Sequence, residues 1–450
     1  MAEASVLAPS ATPGGIRAWL QQHTDLAQYR PQAVPDVALS ELRDREGPYV
    51  VLKNPRTKTY YRLADRDYFL WKRMDGSRTV KDLVVAYFLE YKTFAFARVA
   101  ALVQGLRASQ LLTDEPVNLY GYMHRRLQNR KPAVRLAGIW TAFLGKQFAI
   151  SGLDRFVTAV YRGGARLLFT RPALILYILV SIAGVYCFYR AFRNGGWGVV
   201  TISGSVVWGL AGLVFANLLS VLVHEMGHAL TVKHYGREVR RGGFLLYFGT
   251  PGFFVDTTDI WMEGKRARLA VTWAGPFSGL TMAGLASIVL FAWPGFLLNP
   301  LLFQFAFMTY VSVFFNLNPL LELDGYYLLM DAIEIPALRR KSLEFLRTGL
   351  VAKLKAMRKA GRTLKAAVAS FSREERIFAI FGLLSLAWTG YALTTIINLY
   401  RLRLLGAIRG LWQSGGGAGR FLLAGITVLL SLVIVLGLGM GLWNALRGVL

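Results

Sequence analysis

The chain has 450 residues, 54% of them hydrophobic, with a mean hydropathy of +0.39, a balance that excludes a wholly water-exposed globule and puts part of the chain in lipid. The formal charge of +26 does not signal a nucleic-acid partner: the positive residues gather beside apolar runs, at Arg125-Arg126, Arg130-Lys131, Arg339-Arg340-Lys341 and Lys353 to Lys365, where they face anionic lipid headgroups. The single cysteine, Cys187, excludes an internal disulfide and a cysteine-based metal site, and reads as a small buried residue of the first span.

Residues 1–35, rich in Ala, Pro and polar residues, read as a flexible leader. Met1 to Gly15 has no basic segment followed by an apolar one, so no cleavable signal peptide is expected and the first domain, 36–118, stays cytosolic. Within it, Tyr49-Val50-Val51-Leu52, a turn at Asn54-Pro55-Arg56-Thr57 and Tyr60-Tyr61-Arg62-Leu63 predict a β-hairpin. Ala64 to Met74 carries Phe69, Leu70 and Met74 at helical spacing, with Asp75-Gly76 as its end. Thr79 is the expected N-cap of a helix over Val80 to Phe88, and a third helix covers Phe94 to Ser109. The hairpin, the run Leu-Ala-Asp-Arg-Asp-Tyr-Phe-Leu-Trp-Lys-Arg-Met-Asp-Gly and Thr79-Val80-Lys81-Asp82-Leu83 resemble a PqqD-like domain over residues 40–115. That resemblance implies a small α+β winged-helix-like fold that binds peptide leaders by strand addition at a sheet edge; a purely structural or regulatory domain is the bland alternative.

A basic membrane-proximal linker, 119–171, is expected to lay helices along the cytosolic face. Beyond it come six apolar runs: Pro172 to Tyr189, Ile202 to Val223, Leu269 to Trp293, Pro300 to Leu317, Ile377 to Leu399 and Phe421 to Leu442. Each is about 17–25 residues long, enough to cross a hydrocarbon core. The fold class read from this is mainly α, a polytopic helical membrane protein of about six spans behind the small N-terminal domain. It divides into a membrane core over 172–335, a basic cytosolic segment over 336–376 and C-terminal spans over 377–450. With the N-terminus inside, 339–376 falls in the cytosol as the charge rule asks, whereas Arg401, Arg403, Arg409 and Arg420 fall on the outer face against it. The localisation expected is multi-pass in the cell membrane.

At the end of the second run stands His224-Glu225-Met226-Gly227-His228. Residues four apart share a helix face, so His224 and His228 can offer two imidazole nitrogens to one Zn²⁺, with Glu225 beside them to take a proton from water. Ionisable groups at membrane depth are costly and default to function. A catalytic zinc needs a third protein ligand. His234 has the spacing of the soluble metzincin signature, but Thr231 stands where that signature places its turning glycine, and an unbroken helix carries His234 past the metal. Asp324, in Asn316-Leu317-Asn318-Pro319-Leu320-Leu321-Glu322-Leu323-Asp324-Gly325, is the stronger candidate. One span between the second and fourth returns their ends to a common face, and Pro319 and Gly325 provide irregular backbone that can line a wet cavity.

At these residues the chain resembles the site-2 protease family of intramembrane zinc metalloproteases, over about residues 200–335. The resemblance implies that His224, His228 and Asp324 hold zinc, that Glu225 activates water, and that Asn316 holds the substrate backbone or the tetrahedral oxyanion. Ala274-Gly275-Pro276-Phe277-Ser278-Gly279 is similar to a third element of the family, with Gly279 where Asn is common, so Gly275 and Gly279 are read as helix-packing residues. Phe244 to Asp259 predicts a hairpin or re-entrant element whose edge could pair with an extended peptide. Asp256 and Asp259 are read as ion-pair partners of Arg240 or Arg241 in preference to metal ligands. The expected activity is hydrolysis of a membrane-associated or ribosomally made peptide, with export or peptide-maturation partners. The alternative is a peptide-binding or export accessory protein that keeps a protease-like zinc core.

Overall fold

The computed structural model describes residues 26–45, 47–113, 146–150, 152–247, 250–359 and 371–399. They fall into two compact units, one drawn from Met1–Leu136 with Thr258–Ala267, the other from Ala137–Thr257 and Arg268–Leu450.

The first unit opens with an antiparallel sheet in the order β1 (Ala38–Asp44), β2 (Gly47–Lys53), β3 (Tyr60–Ala64). The expected hairpin is β2–β3, with Tyr49 opposite Ala64 and Lys53 opposite Tyr60. Its turn is fixed by Asn54, whose Oδ1 accepts the backbone N–H groups of Arg56 and Thr57 at 2.9 and 3.2 Å, the local side-chain bonding that makes Asn a turn former. Three helices follow: α1 (Asp65–Trp71), α2 (Val80–Tyr91) and α3 (Phe96–Ala108). Thr79 caps α2 as expected, in a reciprocal box. Its hydroxyl accepts the Asp82 N–H at 3.2 Å, and the Asp82 carboxylate accepts the Thr79 N–H at 2.9 Å. Leu52 and Leu63 from the sheet and Leu70, Leu83 and Leu106 from the helices are all 0% exposed and form one core. The segment Thr258–Met262, a 3₁₀ turn, packs in this unit, with Met262 beside Tyr49 and Val51.

The second unit is built mainly of long helices: α4 (Leu153–Arg162), α5 (Arg171–Asn194), α6 (Val206–His234), α7 (Lys265–Ala292), α8 (Asn299–Asn316), α9 (Asp324–Ile333), α10 (Leu338–Glu344), α11 (Leu350–Lys359) and α12 (Arg373–Leu399). The first three residues of α7 belong to the other unit. Four stretches are long and apolar enough to cross a membrane: Arg171–Asn194, Val206–His234, Lys265–Ala292 and Arg373–Thr395. They correspond to the first, second, third and fifth predicted runs. The fourth run is the helix α8, whose 18 residues include Asn299, Gln304 and Asn316, so its apolar density falls short of the other four. The sixth run, and the arginines at 401–420, lie outside the described residues.

Glycines let these helices close up. A Cβ at Gly184 of α5 would stand 2.1 Å from the Cα of Gly284 of α7, so the two backbones cross in contact. Hydroxyls join Ser181 of α5 with Thr281 of α7 at 3.3 Å, and Thr309 of α8 to Ser220 of α6 at 2.9 Å. A second antiparallel sheet, β4 (Lys146–Ala149), β5 (Gly242–Tyr247) and β6 (Thr250–Val255), contains the expected hairpin as β5–β6.

Candidate metal centre

The 29-residue helix α6 starts where the Ser205 hydroxyl accepts the Trp208 N–H at 3.4 Å and runs unbroken through His224, Glu225 and His228, which places the two imidazoles one turn apart on one face. Asp324 is the first residue of α9, at the end of the Asn316 loop. The loop is held shut by Asn316. Its Nδ2 donates to Asp324 Oδ2 at 2.8 Å, and its Oδ1 accepts the Asp324 N–H at 3.3 Å. Gly325 is required there, since a Cβ would stand 2.3 Å from the Leu317 carbonyl oxygen.

His224, His228 and Asp324 are the group of potential metal ligands found among the described residues, with ligand atoms within 4.8 Å of one another. The Nε2 atoms of the two histidines are 3.0 Å apart, and Asp324 Oδ2 lies 2.9 Å from His224 Nε2 and 3.3 Å from His228 Nε2. Donors about 2.0–2.1 Å from a tetrahedral zinc stand roughly 3.3 Å from one another. The three separations are within a few tenths of an ångström of that figure.

The hydrogen bonding also suits a cation. His228 Nδ1 is 2.7 Å from the carbonyl oxygen of Val271 on α7. A carbonyl only accepts, so Nδ1 carries the hydrogen and Nε2 of the neutral ring presents its lone pair to the cluster. That lone pair faces the Nε2 of His224 and a carboxylate oxygen, groups that can share a cation with it. The donor set of two nitrogens and one oxygen is the kind that binds zinc while leaving a position open.

Helix α7 comes close because it has no side chain at Gly275. A Cβ there would stand 2.3 Å from His228 Nε2 and 2.7 Å from His224 Cε1. Gly227 faces the same helix, 2.5 Å from the Ser278 hydroxyl by the same measure. Ser278 in turn donates to the Val223 carbonyl at 3.1 Å or the Gly275 carbonyl at 2.8 Å. Gly279, read with Gly275 as a packing residue, meets Thr309 and Val313 only at 3.3 and 3.4 Å; the demand for glycine is far stronger at Gly275.

Glu225 is half-buried beside the cluster, and its carboxylate faces the backbone N–H of Val255 at the end of β6. His234 stands apart. It stacks on Phe169 with ring centroids 4.4 Å apart and an 8° interplanar angle, and its Nδ1 is 3.1 Å from the Tyr161 hydroxyl. Asp256 pairs with Arg241 at 3.4 Å and Arg240 at 3.8 Å. Asp259 pairs with Lys53 and accepts the Tyr60 hydroxyl, each at 2.7 Å, because its 3₁₀ turn packs with the N-terminal sheet. The contributions of Val255, Val271 and Ser278 are unanticipated; two are backbone groups, which every residue carries, and a lone serine has no distinguishing pattern.

Two curated proteins are similar to the chain. "Putative peptide zinc metalloprotease protein YydH" of Bacillus subtilis (strain 168) is 25% identical over 125 residues, 27% of this chain and 48% of that protein. "Uncharacterized protein MJ0971" of Methanocaldococcus jannaschii is 36% identical over 84 residues, 18% of this chain and 23% of that protein. The chain thus spans less than half the length of either relative. No protein-family model matches it, and no solved structure does. The first similarity supports a protease-like relation, and the candidate triad is compatible with zinc.

Proposed function

We propose that the chain is a membrane-embedded zinc endopeptidase of the site-2 type, with His224, His228 and Asp324 as metal ligands and Glu225 as general acid and base. The observation that carries this reading is the convergence of the three ligand atoms at 2.9–3.3 Å next to a carboxylate, on a helix long and apolar enough to span a bilayer. Zinc, when bound, supplies a Lewis acid that polarises a peptide carbonyl and lowers the pKa of water. Glu225 takes the proton from the attacking water and delivers it to the departing amine nitrogen, so that one carboxylate serves both halves of the hydrolysis. His228, steered by its bond to Val271, keeps its lone pair aimed at the cluster. Asn316 holds the Asp324 carboxylate and offers an N–H donor to a substrate carbonyl or a developing oxyanion. A substrate strand laid along β6, whose end touches Glu225 through Val255, would bring its backbone to the site.

The same reading makes the first domain a cytosolic PqqD-like module that delivers a ribosomally made or membrane-associated peptide. The cell membrane is the location, anionic headgroups meet the basic segments, and export or maturation proteins are the partners. The test is to purify the full chain in lipid nanodiscs, measure bound zinc, and compare wild type with Glu225→Gln on a panel of membrane-anchored peptides. Zinc should be retained and hydrolysis should fall by about 10²–10⁴. Undiminished cleavage by the variant overturns the role of Glu225. Stoichiometric zinc without hydrolysis of any peptide by wild type favours the accessory-protein reading.

A further inference from the structure

Residues 258–267 interrupt the helical unit: the chain leaves that unit after Thr257 and re-enters it at Arg268. All three strands of the N-terminal sheet hold the segment. From β1, the Ser40 hydroxyl donates to the Met262 carbonyl at 2.6 Å. From β2, Lys53 pairs with Asp259 at 2.7 Å, and Tyr49 and Val51 enclose Met262, which is 3% exposed. From β3, the Tyr60 hydroxyl donates to Asp259 at 2.7 Å. Asp259 is 1% exposed. A carboxylate buried so completely is costly unless paired and hydrogen-bonded, and this one receives both a cation and a hydroxyl.

Each end of the segment runs directly into a group of the candidate metal centre. Four residues before Asp259, the Val255 N–H faces the Glu225 carboxylate. After the segment, Arg268 pairs with Asp331 at 3.0 Å, on the helix that Asp324 begins. Val271 then holds His228 Nδ1 at 2.7 Å, and Gly275 underlies both imidazoles. Lys265, Val271 and Gly275 belong to one continuous helix. Its hydrogen-bonded backbone rises about 1.5 Å per residue, so a shift of its first turn is carried along the rod to the Val271 carbonyl.

We propose that residues 258–267 form a positioning clasp through which the N-terminal sheet, gripping Asp259 and Met262, sets the placement of Glu225 and His228. Asp259 is then a positioning residue, acting through Val255 on one side and Val271 on the other. The consequence for metal binding and hydrolysis rests on the zinc-peptidase reading; the mechanical link does not.

The experiment uses the full-length protein in nanodiscs, loaded with cobalt(II) for its visible spectrum, and compares wild type, Asp259→Asn, Tyr60→Phe and the reversed pair Lys53→Asp with Asp259→Lys. Backbone hydrogen exchange is followed at Val255 and over 224–228. Losing a charge-assisted bond at Asp259 should loosen cobalt binding about tenfold, alter the cobalt spectrum and speed exchange at Val255. Tyr60→Phe should move all three in the same direction by less, and the reversed pair should restore them. The clasp is overturned if exchange rises within 258–267 in Asp259→Asn while Val255 and the cobalt spectrum stay as in wild type. Should Asp259→Asn fail to fold, Tyr60→Phe decides by the same criteria. Absence of cobalt binding in wild type would count against the zinc reading, and Val255 exchange would then decide the clasp by itself.

Discussion

In the N-terminal unit the enclosed side chains are mostly apolar, among them Leu52, Leu63, Leu70, Val80 and Leu106 at 0% exposed, with Asn54 and Asp259 as buried polar members, while Glu41, Arg43, Lys81, Asp82 and Glu90 face outward. In the helical unit the enclosed side chains include Gln304, Ser287 and Asn299 at 0% and Thr309 at 1%, while Val207, Trp208 and Phe314 are 69–75% exposed. The first pattern is set by water, which drives apolar groups together. The second suits a hydrocarbon solvent, in which Leu gains nothing by leaving lipid, and small residues and hydroxyls make the helix contacts instead. The candidate metal centre belongs to the second kind of interior. Its imidazoles and carboxylates are extreme members of a polar interior that the helices already have.

The contrast can be broken at four places. The largest effect is expected from Leu63→Ala, which empties a wholly apolar position; a loss of about 2–5 kcal/mol should appear as faster exchange of the β2 amides in the full-length protein. Next, Gly275→Ala overpacks the crossing above the imidazoles at a cost of about 1–3 kcal/mol, and zinc affinity measured by competition with a chelator should fall by tenfold or more. Gly279→Ala, whose neighbours Thr309 and Val313 need give by only a few tenths of an ångström, should lower it far less. Thr309→Val removes the bond to Ser220 and should cost about 0.6 kcal/mol on unfolding from detergent micelles, far less than the apolar truncation in the first unit.

The smallest effect concerns the α2 cap. The Thr79 backbone N–H and hydroxyl hold the Asp82 carboxyl below the usual carboxylate range. A depressed folded value means that the cap contributes fully above the ordinary aspartate pKa of about 3.9 and is lost as pH falls through the folded value. Wild type should therefore exceed Asp82→Asn in stability near neutrality, and the two should converge in acid. A difference that persists at pH 2, a condition well below about 3.9, would sink this assignment.

Much of this was legible in the chain itself. The hairpin β2–β3 announced itself by two apolar runs around Asn54, and α2 by Thr79 just ahead of the run from Val80. His224 and His228 needed only the helical repeat to share a face. The strand β1 was not anticipated: Ala38–Asp44 carries Glu41, Arg43 and Asp44 and looks like polar loop until β2 supplies its ladder. The four-residue β4 is equally silent, since its partner β5 lies almost a hundred residues on and pairs Phe148 with Phe244.

What the sequence determined by itself is therefore local and periodic: long apolar helices, one of them carrying two histidines a turn apart, and a loop broken by Pro319 and Gly325 that offers Asp324. Those follow from spacing, helix geometry and the cost of charge in lipid, which operate within a few turns of chain. Only the tertiary structure decided that Asp324 comes within 2.9 Å of His224, that Gly275 has no room for a methyl group beneath the imidazoles, and that Asp259 meets Lys53 of the N-terminal sheet. Each of those depends on groups brought together from distant parts of the chain, and packing, unlike periodicity, leaves no mark on either partner alone.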